Sequence, residues 1–114
     1  MSLDINKLTS AIKNAATQVI NQDVSELRGF SNRQVTALAK QANLISAGII
    51  SGDIDEDLQD FFLDSLEDMA LNFAKTLRGL LMVTIEKVWN AVVGVIWGAI
   101  GQATGITLAT PVAN

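Results

Sequence analysis

The sequence predicts an all-α protein, and three observations carry that expectation. Proline occurs once, at Pro111, and no turn-forming cluster recurs at the spacing of short strands. Apolar residues return every three or four positions through three long runs, the period of a helical face. The runs begin or end at residues suited to capping helices. With 114 residues the chain has the length of one domain with a single modest core.

The first run places Ile5, Leu8, Ile12, Ala15, Ala16 and Val19 on one face, which predicts a helix over residues 3–21. Ser2 is positioned to cap it, and Asp4 suits the positive end of the helix dipole. Val24 and Leu27 can extend it by a turn or two before Gly29 ends it.

The stretch "FSNRQV", residues 30–35, carries a clearer local code. Ser31 with Gln34 forms a capping box, and Phe30 with Val35 occupies the two positions of a hydrophobic staple, so a second helix starts there. Its apolar seam is Val35, Leu38, Ala42, Ile45 and Ile49, and Ser51-Gly52 closes it. The first two helices form a hairpin over residues 3–52.

Asp53 and Glu56 repeat the box and open a third run of Leu58, Phe62, Leu66, Met69, Phe73, Leu77 and Leu80. Its steps average about 3.67 residues, the repeat of a straight or slightly right-handed helix. The helical pattern continues to Thr104, where Gly105 makes a stop. Unbroken, residues 54–104 would be a rod of about 75 Å. That is too long for a globule of this size, whose radius of gyration should be about 13 Å. Either the rod breaks near Gly79 into two helices, or the chain belongs to an assembly. The expected architecture is therefore two shorter helices packed on a long C-terminal helix or helix pair. Residues 53–87 form its amphipathic part, 88–106 an uncharged part, and 107–114 an extended tail.

Composition narrows the function. Histidine and cysteine are both absent, which removes the commonest general base, the commonest transition-metal ligand and any thiolate or disulfide chemistry. The expectation is a protein that is not an enzyme and uses no cofactor or metal. A net charge of −4, with basic residues scattered singly, argues against nucleic acid as a partner. No secretory signal opens the sequence, because the first twenty residues lack a continuous apolar core, so a cytosolic start is expected. Charged residues are only 18% against 49% hydrophobic, so much apolar surface has to be covered by something.

Charge is segregated along the third run. Eight of the twelve acids lie in residues 53–68, and no Lys or Arg occurs in residues 41–74. On a helical wheel Asp60, Asp64, Glu67 and Asp68 lie with Lys75, Arg78 and Glu86, opposite Phe62, Leu66, Phe73, Leu77 and Leu80. Asp53, Asp55, Asp57 and Asp64 fall where a calcium loop has ligands, but its obligatory glycine is replaced by Leu58 and its final glutamate by Asp64. The set Asp53, Asp55, Asp57, Asp60, Asp64, Glu67 and Asp68 reads better as an acidic start to a helix and a solvated face. It can also serve as a strip for a basic protein partner.

The last run, "AVVGVIWGAIGQATGI" at residues 91–106, holds no charge. Gly94, Gly98, Gly101 and Gly105, with Ala91 in line, make a groove of small residues that lets another backbone approach closely. Trp89, Val92, Ile96, Trp97 and Ile100 are the bulky residues of this segment, available to lipid or to another subunit. Three readings follow. The first is a self-assembling homo-oligomeric subunit of an oligomer, filament or shell, such as a virion-like particle, using the glycine groove. The second is a membrane-inserted anchor or pore former spanning residues 88–110, which hold 23 uncharged positions beside Lys87. The third is an interaction module or inhibitor using the acidic strip. Gly98→Leu tests the groove, and Val93→Arg separates a membrane span from an exposed helical face.

Overall fold

The computed structural model describes residues 3–27, 30, 32–80, 84–106, 108, 110 and 111. Among them it is all-helical: α1 Ile5–Ile20, a 3-10 turn Val24–Glu26, α2 Asn32–Ser51, α3 Glu56–Leu80 and α4 Ile85–Thr104.

The helix ends follow local hydrogen bonding. Asp4 caps α1, its carboxylate accepting from the amides of Asn6 at 3.0 Å and Lys7 at 3.1 Å. Ser2 lies outside the described residues. Asn21 stops α1 in a left-handed conformation at φ 59°, which asparagine tolerates better than most residues. Asp23 then accepts from the Ser25 amide and hydroxyl, at 3.0 and 2.7 Å, and opens the 3-10 turn. Those bonds compete with a continuing helix, so the predicted extension toward Gly29 becomes a corner instead. Val24 is pinned there, fully buried, with its amide donating to Thr17 Oγ1 at 3.2 Å.

At α2 the proposed cap Ser31 and the terminator Gly29 fall outside the described residues. The Gln34 side chain donates to Thr76 Oγ1 on α3 at 3.4 Å, and Phe30 meets the Phe73 ring edge-on with centroids 6.4 Å apart. Gly52 closes α2 at φ 84°, and the Ile54 amide returns to the Gly48 carbonyl at 2.9 Å. The cap of α3 is Asp55, whose carboxylate accepts from the Leu58 amide at 3.0 Å. Asp53, expected in that role, instead accepts from the Ser51 hydroxyl at 3.0 Å and belongs to the turn.

The long rod does not form. α3 ends at Leu80 and α4 begins at Ile85, so Gly79 lies within the last turn of α3 and the break follows it. The greatest extent is 41 Å and the radius of gyration 13.7 Å. Gly105, at φ 74° with its amide bonded to the Gly101 carbonyl, ends α4 as the sequence predicts.

α2 and α3 are joined by the short turn at residues 52–55, and the start of α2 meets the end of α3 at Gln34–Thr76 and Phe30–Phe73, so the two run antiparallel. Helix α1 lies against α2 and α4, α3 also lies against α2 and α4, and these two pack on each other. Thus α1 and α3 occupy opposite corners. Every helix contributes to one core: Leu8, Ile12 and Ala16 from α1, Val35, Leu38 and Ile45 from α2, Leu66, Phe73 and Leu77 from α3. α4 adds Val88, Val92, Val93, Ile96, Trp97 and Ile100, so its bulky side is the floor of the bundle. Such burial removes roughly 1.5–3 kcal/mol worth of apolar side chain per large residue from water.

Among the described residues one buried polar side-chain atom has no partner: Ser46 Oγ lies on α2 without a hydrogen bond. Stranding a hydroxyl costs about 1–3 kcal/mol. Ser46→Ala is therefore expected to stabilise the fold by about 1 kcal/mol. A thermal melt followed by circular dichroism should show the midpoint rising by about 4 °C.

Candidate functional site

The glycines of α4 divide into two kinds. Gly101 and Gly105 have reasons within the chain: a Cβ on Gly101 would stand 3.3 Å from the Ile106 carbonyl oxygen, and Gly105 needs its positive φ. Gly94 and Gly98 do not, since both are exposed and a Cβ on either would meet nothing within 4 Å. Ala91 beside them is half-buried. Gly94 and Gly98 instead border an open groove of about 540 Å³ between α4 and the start of α1. Leu3, Lys7 and Ala11 form its other wall.

Val92, Ile96, Trp97 and Ile100 face away from this groove and are buried in the chain's own core. Trp89 is half-buried, its indole N–H donating to the Glu67 carbonyl at 3.4 Å across the α3–α4 contact. Among the described residues, no helix is long and apolar enough to cross a membrane.

The acidic strip is divided as well. Asp53 and Asp55 shape the turn and cap, Asp57 and Asp60 stand exposed on the first turns of α3, and only Asp64, Glu67 and Asp68 are brought together. These three share a hollow of about 590 Å³ with Leu71, Ile85, Glu86 and Trp89. Residues 56–64 are helical, so the acids are spread along an axis instead of wrapping a point as a calcium loop would. Among the described residues no three such side chains converge as a metal site.

Burial raises the Glu67 carboxyl above its ordinary value, and a hydrogen bond with Asp64 and the charges of Asp64 and Asp68 push the same way. The folded chain therefore holds this proton more tightly than the unfolded chain. Stability declines as pH rises through the window between the two values, and the full penalty applies above the folded one. Glu67→Gln should remove it. At pH 7 the melting midpoint is expected to rise by about 1–3 °C, from like-charge repulsion of about 0.2–0.5 kcal/mol between helical neighbours. The difference should vanish below the ordinary carboxylate range, which melts at a series of pH values would reveal.

Two apolar residues of this region stand outside the core. Leu58, assigned to the buried stripe, is 43% exposed, and Phe61 is 67% exposed. The signal for Phe61 was present: it falls off the apolar stripe and among the acids on the wheel. Its ring stands edge-on to Phe62, centroids 5.4 Å apart, and projects from the opposite corner of the bundle to α1. No family model matches this chain, and no curated protein or solved structure is similar to it.

Proposed function

We propose that the protein is a non-enzymatic helical subunit that assembles with copies of itself through the α1–α4 face. The observation that carries this reading is the open space over Gly94 and Gly98. Glycine inside a helix costs about 1 kcal/mol relative to alanine, and neither of these has a packing or conformational reason within its own chain. Small residues on an exposed helix face let a second backbone or a bulky side chain come close. The bulky residues of α4 supply the fold, which leaves the glycine side for association. The acidic strip is a separate surface, whose charge suits a basic partner.

Gly98→Leu tests the proposal. A Cβ at position 98 meets nothing within 4 Å in its own chain and leucine raises helix propensity, so the single subunit should remain folded and gain up to about 1 kcal/mol. Light scattering should find the parent chain at a multiple of 12.2 kDa and the variant at 12.2 kDa. A parent chain that stays at 12.2 kDa at every concentration, or a variant that assembles as the parent does, overturns it.

A further inference from the structure

Resting on the self-assembly reading, we infer that the contact between copies joins two different surfaces: Phe61 and Leu58 of one copy seat in the Gly94–Gly98 groove of the next. Leu58 and Phe61 are one helical turn apart on α3 and share a face, which makes a single apolar knob. On the helix surface the other neighbours of Phe61, at three and four residues, are Asp57, Asp64 and Ser65, so the knob is ringed by carboxylates. A lone exposed phenylalanine amid acids gains nothing from water and is well suited as an interface anchor.

The groove is its counterpart in shape and in charge. Gly94, Gly98, Ala99, Leu3 and Ala11 line it together with the polar Asp4, Lys7 and Gln102, so it is largely apolar and has room for a ring. Lys7 stands on its rim, exposed and with no ion pair among the described residues. Asp4, the acid at the same rim, spends its charge on the amides of Asn6 and Lys7 at the positive end of α1. A knob bringing Asp57 and Asp64 toward Lys7 is therefore attracted.

Like-with-like pairings are worse. Two knobs face to face would press Asp57, Asp60 and Asp64 of both copies together, and like charges across an interface are repulsive. Two grooves face to face would leave both phenylalanines in water. The knob also cannot reach the groove of its own chain, because α3 and α1 stand at opposite corners. A contact between different patches on opposite sides of a subunit leaves one of each free after every step. It extends into a row, and the row closes into a ring or continues as a filament.

The test uses two full-length variants that each lose one surface: Phe61→Ser, which removes the knob without changing charge, and Gly98→Leu, which fills the groove. Circular dichroism checks that both remain helical, and Gly94→Leu replaces Gly98→Leu if the latter does not. Sedimentation should show the parent chain in large species and each variant alone at 12.2 kDa. Mixed in equal amounts, the two variants should form a 1:1 pair of twice that mass and nothing larger, since one intact knob meets one intact groove. If Phe61→Ser assembles as the parent does, or the mixture stays monomeric while the parent assembles, the knob-in-groove contact is overturned and the self-assembly reading survives. A parent chain that never exceeds 12.2 kDa overturns both.

Discussion

Phe73→Ala is expected to lower the free energy of unfolding by about 3–5 kcal/mol. Phe73 is 1% exposed and heads the largest fully buried side chains. It sits on α3 where the α2–α3 pair closes, with the Phe30 ring against its edge. Truncation removes the transfer energy of the ring and leaves a cavity that surrounding side chains fill only in part. The edge-to-face contact adds about 0.5–1.5 kcal/mol beyond burial, so Phe30 loses an anchor too. A domain of this size is stable by about 5–15 kcal/mol in total, so the variant loses a large share of it. Urea unfolding followed by helical ellipticity should show a lower midpoint with an unchanged slope. A loss under about 1 kcal/mol would mean that the site collapses without a cavity, and that Phe73 is not central to the core.

How much of this was legible in the sequence depends on the distance over which each feature is decided. The stripes of α1 and α2 were readable because periodicity alone selects a buried face: Leu8, Ile12, Val35, Leu38 and Ile45 are all in the core. Gly105 and Gly52 were readable because each carries a positive φ that their residue type favours. The caps were partly misplaced, since Asp53 and Asp55 both satisfy the local rule and the geometry of the turn after Gly52 decides between them. The break after Leu80 was legible as a size argument, with Gly79 to place it, but not to the residue, because nothing in residues 81–84 resembles a turn signal.

The glycine face was visible as a pattern, but the pattern could not say which glycines serve the chain itself. Gly101 is crowded by the carbonyl of Ile106, and Gly94 opens onto nothing. Periodicity assigns Phe62 to the buried stripe and gives Phe61 beside it no partner. Exposure of a large apolar residue is a tertiary property, set by where α2 and α4 lie on α3. The bulky residues of the last run were read as outward-facing because the segment has no charge to mark a solvent side. The fold resolves that by directing Val92, Ile96, Trp97 and Ile100 inward and leaving the glycines to face water.

That orientation gives adjacent positions of α4 opposite fates. Val93 is fully buried, so Val93→Arg no longer separates a membrane span from an exposed face; it puts a cation into the core. Among the described residues no carboxylate is buried in that core, and an unpaired buried charge costs several kcal/mol after relaxation. Loss of the valine's own burial adds about 1.5–3 kcal/mol. Together these approach the whole stability of a small domain, so the variant should show no cooperative thermal transition. Gly94→Arg, one residue on, places the same charge over open space, should retain the parent's helicity and melting midpoint, and is expected to lose only association. Melting both variants side by side, with the parent as reference, compares one charge at positions a single residue apart. If Val93→Arg melts cooperatively within a few degrees of the parent, α4 is rotated from the orientation described, and the glycine face would not be the one turned to solvent.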